Sequence, residues 1–416
     1  MILIRNARIL GKEKGNILVE DNKIVAVGDI VDKSDVVIDA ENLAAIPGLF
    51  NSHTHAAMVL FRGYADDMKL HEWLQKKIWP AEAKLNAKAV YWGTKLACIE
   101  MLKGGTTFFN DMYFFSEEVA RAASECGIRA CIASAFFDFF NKDLLEENIK
   151  RVEKEVKEIK KNPLILPAVG PHAVYTVSLE GLKRSAEIAE KYDALIHFHL
   201  AETEKEVVDF KRKHGEGIVK TLDNIGFLSE RLVAAHSVWL EKNEIEILAK
   251  RKVNVAHCPT SNMKLCVGKA IDYRSMREFG VNFCIGTDSA ASNNNLDMFE
   301  EMRFAALLQK FYYNDPTLMK AEEVFDTATK NAAKAFRLNA GEIAEGKLAD
   351  IVLVNLDNLN LVPGHNLISD LVYSANSSCV ETVIVDGKIV VENGYFEGEE
   401  EVVEKVKKIA LDLVKG

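Results

Sequence analysis

The sequence predicts a (β/α)8 barrel joined to a small β-sandwich that both ends of the chain build together. Three observations lead to this fold class. Short apolar segments alternate with segments of helical period through the middle of the chain, both ends show the alternation of paired strands, and histidines follow the apolar segments. Strands of an all-parallel sheet are covered on both faces, so they read as nearly continuous apolar runs. A chain of 416 residues is long enough for both parts.

Eight apolar segments in the middle of the chain are the candidate barrel strands. They are Ala44–Phe50, Thr106–Asn110, Arg129–Ala135, Leu164–Val169, Ala194–His199, Leu232–Ala235, Val253–Ala256 and Val281–Ile285. Segments of helical period lie between them, namely Ala87–Leu102, Glu147–Lys160, Leu179–Lys191 and Lys242–Arg251. We expect the barrel over residues 48–344. An open, doubly wound sheet is the alternative, which the absence of a GxGxxG sequence after the first strand weakens.

The two ends of the chain carry shorter strand patterns. The candidate strands there are Met1–Leu10, Asn16–Val27, Ala349–Val354 and Thr382–Val391. Asp21-Asn22 and Asp386-Gly387 provide turns between them. Because neither end has enough strands for its own core, we expect residues 1–47 and 345–398 to form one discontinuous β-sandwich domain. Residues 399–416 are typical of a charged amphipathic helix that packs on a surface.

Composition and charge limit the classes of function. The chain is 48% hydrophobic and 27% charged, with a formal charge of -10. That balance, without a basic run, argues against a nucleic-acid partner and suits a small-molecule ligand. The sequence has no stretch of about 20 apolar residues that could span a membrane. Seven scattered cysteines without a CxxC pair and a strand pattern that starts at Met1 predict a cytoplasmic protein, and we expect a homo-oligomer.

The ends of the candidate strands carry most of the reactive side chains. His53 and His55 are separated by one residue, so on a strand both point to the same side. Seven of the ten histidines close or follow a candidate strand: His53, His55, His172, His197, His199, His236 and His257. Glu202 and Asp288 occupy similar positions. In a (β/α)8 barrel, active-site residues lie at these C-terminal strand ends.

Four of these residues are the candidate metal ligands: His53, His55, His199 and Asp288. Three imidazoles and one carboxylate suit zinc, or ferrous iron as the alternative, and leave a position for water. The fourth candidate strand has no lysine that could bridge two ions, so one divalent metal is favoured. His197 also faces the interior if its strand continues, but His199 is preferred because it is closer to the segment that carries Glu202.

The remaining groups predict metal-assisted hydrolysis. A bound metal lowers the pKa of its water from about 15.7 toward 7, which supplies hydroxide at neutral pH. Glu202 is suited to move protons between that water and a substrate. His236 could stabilise charge that develops at the reacting centre, and Asp288 could accept the proton of the hydroxide while it binds the metal.

Several segments together resemble the amidohydrolase superfamily, and within it the 5-methylthioadenosine/S-adenosylhomocysteine deaminases and related 5′-deoxyadenosine deaminases. The segments are Pro47–His55, Trp73 with Glu82, Val169–His172, His199–Glu202, His236, His257–Leu265 and Gly286–Asn295. The resemblance implies a (β/α)8 barrel with a composite β-sandwich, one divalent metal that is usually zinc, and hydrolytic deamination at C6 of a purine nucleoside.

The resemblance also implies roles for single residues. His53, His55, His199 and Asp288 correspond to the metal ligands of the family, Glu202 to its proton carrier and purine contact, and His236 to the residue that assists the reaction. Glu82 corresponds to the acceptor of the ribose hydroxyls, His172 to a nucleoside contact and Trp73 to an aromatic wall. The roles of Ser261, Asn262 and Ser289 stay open.

One departure from the family concerns the 5′ substituent of the nucleoside. Relatives that use S-adenosylhomocysteine hold its carboxylate with arginines, and Ser134 and Leu144 stand at those positions. The neighbourhood is apolar, with Phe136, Phe137, Phe139 and Phe140. Since burial of an unpaired carboxylate is costly, we expect a preference for 5′-deoxyadenosine or methylthioadenosine. Arg151 is a possible substitute for the missing arginines.

Two other classes of function remain as alternatives. The same site could deaminate guanine or cytosine, or remove chloride from an s-triazine, because each reaction attacks an electron-poor ring carbon. Glu82 and His172 argue for a substrate that carries ribose. A non-catalytic binding protein on the same barrel is the second alternative, which the full set of ligands and proton carriers disfavours.

Overall fold

The computed structural model describes residues 1–12, 14–30 and 34–414. Five strands precede the barrel: β1 (Ile2–Ile9), β2 (Lys14–Glu20), β3 (Lys23–Gly28), β4 (Val36–Asp39) and β5 (Leu43–Pro47). The barrel strands are β6 (Leu49–Thr54), β7 (Thr106–Tyr113), β8 (Arg129–Phe136), β9 (Ile165–Pro171), β10 (Leu195–Leu200), β11 (Leu232–His236), β12 (Asn254–His257) and β13 (Asn282–Ile285). Three strands follow the barrel: β14 (Ile351–Asn355), β15 (Val380–Val385) and β16 (Lys388–Val391).

Helices alternate with the barrel strands, as expected for a (β/α)8 barrel. The α-helices are α1 (Leu70–Trp73), α2 (Trp79–Glu82), α3 (Ala87–Lys103), α4 (Ser116–Cys126), α5 (Lys142–Ile159), α6 (Leu179–Tyr192), α7 (Glu204–His214), α8 (Ile218–Asn224), α9 (Lys242–Lys250), α10 (Pro259–Lys264), α11 (Tyr273–Phe279), α12 (Met298–Tyr313), α13 (Ala321–Thr327), α14 (Lys330–Ala335), α15 (Leu367–Tyr373) and α16 (Glu399–Val414). Side-chain caps start several of them. Asn86, Asn141 and Ser178 accept hydrogen bonds from backbone N–H groups in the first turns of α3, α5 and α6.

Strands β6 to β13 form the predicted parallel barrel, with each strand paired to the next along the chain. The last strand approaches the first through specific hydrogen bonds. The N–H of Asp288 donates to the carbonyl of His53 at 2.9 Å. The side chain of Asn51 also bonds Thr287, donating to its Oγ1 at 2.7 Å and accepting from its N–H at 2.9 Å. The fold class predicted from the sequence is therefore confirmed.

The predicted first barrel strand, Ala44–Phe50, is wrong in its extent. The apolar run divides at Gly48: β5 pairs with β1 and β14 of the other sheet, and β6 opens the barrel. A Cβ atom on Gly48 would lie 2.0 Å from Oγ1 of Thr107, so the crossing point admits no side chain. Since both halves are buried, apolarity alone did not reveal the break.

The two ends of the chain meet in one mixed sheet. Its order is β16-β15-β14-β5-β1-β2-β3, with β4 beside β1. The predicted turns at Asp21-Asn22 and Asp386-Gly387 lie between β2 and β3 and between β15 and β16. Buried Arg129 on barrel strand β8 joins this sheet to the barrel, because its guanidinium contacts Asp350 at 3.1 Å and Asp386 at 2.8 Å. The domain boundaries at 47/48 and 344/345 stay predictions.

The C-terminal helix α16 packs against α3. Val402, Val406 and Leu413 are buried, and Glu399 contacts Lys103 at 2.6 Å. The last two residues of the predicted helix over 399–416 lie outside the described residues. Among the helices in the described ranges, none is both long and apolar enough to cross a membrane.

Candidate active site

The four predicted metal ligands come together at the C-terminal rim of the barrel. His53 lies on β6 with His55 directly after it, His199 lies on β10, and Asp288 follows β13. The Nε2 atoms of His53 and His55 each lie 3.5 Å from Oδ1 of Asp288. Nε2 of His199 lies 3.2 Å from Nε2 of His55. Side chains separated by more than 200 positions in the chain thus share one small volume.

The other ring nitrogens of these histidines are bound by the protein. Nδ1 of His55 lies 2.6 Å from the carbonyl of Met112, and Nδ1 of His199 lies 2.8 Å from the carbonyl of His172. A carbonyl oxygen can only accept, so both Nδ1 atoms carry the proton. Both Nε2 atoms therefore present a lone pair, that of His55 toward Asp288 and that of His199 toward His55, and a free Nε2 lone pair is what metal-binding histidines need.

The ring of His53 is held at Nδ1 by another side chain rather than by a backbone carbonyl. Its Nδ1 lies 2.6 Å from Nε2 of His197, two residues before His199 on β10. Its Nε2 is fully buried and has no hydrogen-bond partner among the described residues. A buried nitrogen left without a partner, aimed at a carboxylate and two further imidazoles, fits a divalent cation of the zinc type.

The protonation states of these groups also fit a cation. Burial lowers the pKa of His53 to about 4 and takes the pKa of His199 well below its usual value, so both rings are neutral. Burial by itself would raise the pKa of Asp288, but the close contact of its carboxylate with His53 outweighs burial and holds that pKa well below the ordinary value. His53 and His199 are thus neutral imidazoles beside an ionised carboxylate.

Serine hydroxyls hold the second oxygen of Asp288. The Oγ of Ser261 donates to Oδ2 at 2.6 Å, and the Oγ of Ser292 donates to the same atom at 3.2 Å. The N–H of Ser289 donates to Oδ1 at 2.8 Å. These bonds fix the carboxylate plane, so Oδ1 is the atom that faces the histidines. Asp288 itself has a φ of +61°, a backbone conformation that non-glycine residues seldom adopt.

Glu202 and His236 lie side by side next to the histidine cluster. Nε2 of His236 is 4.0 Å from Oε2 of Glu202, and Nδ1 of His236 is 2.9 Å from Oδ1 of Asn262. Burial raises the pKa of Glu202. Burial would lower the pKa of His236, but the charges of Glu202 and Asp288 raise it. An acid and a base that lie side by side can each exchange protons with a ligand in the same cavity.

A cavity of about 850 Å³ opens onto this cluster and includes every further residue predicted to contact substrate. Trp73 and Glu82 reach it from α1 and α2, and His172 from the end of β9. Glu82 accepts a hydrogen bond of 2.7 Å from the hydroxyl of Tyr113 at the end of β7. Burial lowers the pKa of His172 to about 3, and its Nδ1 lies 2.8 Å from Oγ1 of Thr176.

One side of the cavity is aromatic. The rings of Phe114 and Phe137, and those of Phe137 and Phe139, stack with centroids 5.8 Å apart in each pair. Leu144 and Phe136 also line the cavity. Phe140, predicted to belong to this neighbourhood, does not line it, because its ring packs under the ammonium group of Lys213 at 3.7 Å.

Arg151 lies at the end of this aromatic side, and its guanidinium group is bound by other groups of the protein. One guanidinium nitrogen is 3.0 Å from both carboxylate oxygens of Glu155. Another donates to the carbonyl of Ala135 at 2.7 Å and to Oδ1 of Asn148 at 2.9 Å. Ser134 is buried, and its Oγ lies 3.3 Å from Oγ of Ser116.

Residues 44–390 match the family described as Amidohydrolase family. This chain belongs to the amidohydrolase family. The match covers the barrel and strands β5, β14, β15 and β16 of the mixed sheet, and it confirms the family that the strand-end motifs predicted.

Three similar proteins extend this assignment. The chain is 66% identical to the 5-methylthioadenosine/S-adenosylhomocysteine deaminase 1 of Archaeoglobus fulgidus over 99% of both chains. It is 47% identical to the 5′-deoxyadenosine deaminase of Methanocaldococcus jannaschii, covering 98% of this chain and 99% of the relative. A crystal structure of an adenosine deaminase from Xanthomonas campestris with bound zinc superposes with a TM-score of 0.95 at 34% identity, covering 99% of this chain and 98% of the other.

Sequence reasoning missed several residues of this amidohydrolase site. Ser261 and Asn262 lie in the family-like segment His257–Leu265, but no spacing rule assigns them a partner. Ser292 and Tyr113 gave no signal, since a serine in a loop and a tyrosine at a strand end are commonplace. The strand pattern predicts that His197 faces the interior. Its contact with His53 could not be predicted, because it depends on how β6 and β10 lie across the barrel.

Proposed function

We propose that this chain catalyses hydrolytic deamination of the adenine ring of 5′-modified adenosines. The substrates would include 5′-deoxyadenosine and 5′-methylthioadenosine, with S-adenosylhomocysteine and adenosine as further candidates. Water supplies the oxygen, the C6–N bond breaks, and the products are the inosine analogue and ammonia. The names of the relatives from Archaeoglobus fulgidus and Methanocaldococcus jannaschii support this reaction.

One observation carries the proposal. The metal-ligand cluster and the Glu202–His236 pair open onto the same cavity, whose walls also contain Glu82 and His172. A cation site alone is found in many proteins. A cation site beside a proton carrier and beside groups suited to a nucleoside is what deamination of a nucleoside requires.

His53, His55, His199 and Asp288 would hold one divalent cation, zinc in preference to ferrous iron. The zinc in the structure of the Xanthomonas campestris protein and the buried, partnerless Nε2 of His53 support this choice. When bound, the cation supplies an ionised water at neutral pH.

The side chains around the cation would do the proton chemistry. Glu202, whose pKa is raised by burial, takes a proton from the attacking water and returns it to the purine, and the leaving amine departs as ammonia. His236 stabilises the charge that develops on the attacking oxygen, with its ring held by Asn262. Asp288 accepts the remaining water proton and passes it to the leaving amine, which completes the ammonia.

The nucleoside would lie along the cavity toward α1 and α2. The Glu82 carboxylate accepts hydrogen bonds from the ribose hydroxyls, because an ionised carboxylate has acceptor positions only. His172, neutral at physiological pH, contacts the nucleoside, and Trp73 forms the aromatic wall. Glu82 and His172 are the reason to prefer a nucleoside over free guanine, free cytosine or an s-triazine.

The 5′ substituent would lie against the aromatic side of the cavity. Phe114, Phe137 and Phe139 suit a methyl or methylthio group. The carboxylate of S-adenosylhomocysteine would need a cation, and Arg151 is engaged by Glu155 and by the carbonyl of Ala135. We therefore propose 5′-deoxyadenosine or methylthioadenosine as the preferred substrate.

A substrate panel with a Glu202→Gln variant tests the proposal. Purified protein should release ammonia from 5′-deoxyadenosine and methylthioadenosine, and none from guanine or cytosine. Glu202→Gln should retain the metal and lose on the order of 10²- to 10⁴-fold in kcat. A protein without metal, or a variant as active as the wild type, would support a binding protein instead. The cytoplasmic location and the homo-oligomeric state stay predictions.

A further inference from the structure

We propose that Tyr113 is a positioning residue that makes this site selective for nucleosides with an intact 2′,3′-diol. The inference rests on the proposed function, since it assigns a partner to the residue that would bind ribose. Its basis is the hydrogen bond of 2.7 Å from the hydroxyl of Tyr113 to Oε1 of Glu82.

The two residues differ in how firmly the fold holds them. Tyr113 ends barrel strand β7 and is 4% exposed. Glu82 ends the four-residue helix α2, which directly follows a single π-helical turn at Leu74–Ile78. Its side chain has three rotatable bonds and lines the cavity. The hydrogen bond therefore connects a flexible carboxylate on a short helix to a rigid aromatic residue of the barrel.

The carboxylate of Glu82 has more hydrogen-bond acceptor positions than the hydroxyl of Tyr113 fills. An ionised carboxylate has about four acceptor positions and no donor. Tyr113 fills one position on Oε1, and burial keeps the pKa of its hydroxyl well above 10, so it donates at any physiological pH. Burial raises the pKa of Glu82, and the hydrogen bond from Tyr113 opposes that rise. A vicinal diol supplies two O–H donors to one carboxylate.

The hydrogen bond from Tyr113 sets the direction in which the acceptor positions of the Glu82 carboxylate point. With Oε1 held, rotation of the carboxylate about its last bond is disfavoured because it breaks this hydrogen bond, and Oε2 keeps its acceptor positions. Without the tyrosine hydroxyl, each bound nucleoside would have to orient the carboxylate itself. That ordering cost reduces the affinity for the diol and leaves a nucleoside without the diol unaffected.

The experiment compares Tyr113→Phe with the wild type on adenosine and on 2′,3′-dideoxyadenosine, which differ only in the diol. We expect kcat/KM for adenosine to fall on the order of 10- to 100-fold, mainly through KM, because a hydrogen bond to a charged group is lost. The value for 2′,3′-dideoxyadenosine should not change. Tyr91→Phe is the matched control, since it removes another tyrosine-to-glutamate bond, to Glu125 at 2.5 Å, on residues that do not line the cavity.

Equal losses for both nucleosides, or no loss for either, would overturn the inference, because a purely structural bond does not distinguish them. Should Tyr113→Phe unfold, Glu82→Gln provides the second test: it should abolish the preference of the wild type for adenosine over 2′,3′-dideoxyadenosine. A preference that persists in Glu82→Gln overturns the inference. A wild type that deaminates neither of these nucleosides and also fails on 5′-deoxyadenosine overturns the proposed function and the inference together. Turnover of adenosine with an unchanged ratio overturns the inference alone.

Discussion

Nδ1 of His53 lies 2.6 Å from Nε2 of His197, and both rings are buried inside the barrel. The other two predicted histidine ligands are held by backbone carbonyls, which substitutions do not remove. His53 is thus the one histidine of the cluster whose orientation depends on another side chain. Partners of this kind affect metal affinity by 10- to 100-fold in known metal sites.

Substitution of His197 by alanine should weaken metal binding. Nδ1 of His53 would lose its hydrogen-bond partner, and the ring could turn away from Asp288. We expect zinc affinity to fall on the order of 10- to 100-fold, measured by competition with a chromophoric chelator. His214→Ala, at the exposed end of α7, is the control and should bind zinc like the wild type. Unchanged affinity in His197→Ala would show that the neighbours of His53 hold its ring without this bond.

Substitution of Glu155 by glutamine should change the preferred 5′ substituent. The variant leaves Arg151 without its carboxylate partner, so the guanidinium becomes available to a carboxylate on the substrate. We expect kcat/KM for S-adenosylhomocysteine relative to 5′-deoxyadenosine to rise by about tenfold. Glu153→Gln is the matched control, because Glu153 also lies on α5 but binds Lys191 of α6. An unchanged ratio would mean that the aromatic side chains alone set the preference.

Substitution of Glu301 by glutamine should flatten the pH dependence of stability. Burial raises the pKa of Glu301 from about 4.5 to about 8, while Asn293 donates to its carboxyl at 2.5 Å. Between these values the folded state holds a proton that the unfolded state has lost. The unfolding free energy contributed by Glu301 is therefore complete below pH 4.5 and decreases as the pH rises toward 8, by at most about 1.4 kcal/mol per pH unit.

Chemical denaturation at pH 5 and pH 8 measures this effect. The wild type should lose more stability between these two values than Glu301→Gln, which has no proton to release. Identical losses in the two proteins would show that other groups cause the pH dependence.

The barrel was predictable because local sequence patterns carry the information. All eight strand segments were found, and the ends of seven differ from the prediction by only a few residues. The exception is the run Ala44–Phe50, which divides at Gly48. Both parts are buried and apolar, so the hydrophobic pattern is continuous across the break. The reason for the break is the close approach of Thr107, which lies almost 60 positions away.

The sequence alone determined which residues bring reactive groups to the barrel rim. His53, His55, His199, Glu202, His236 and Asp288 follow or end their strands, and parallel strands necessarily direct those ends to one side. The tertiary structure alone decided what each group contacts. The bonds of His197 to His53, Tyr113 to Glu82 and Ser261 to Asp288 depend on side-chain directions and on elements that cross in space. The period of a strand or helix specifies which face a side chain occupies, but the neighbour on that face comes from another part of the chain.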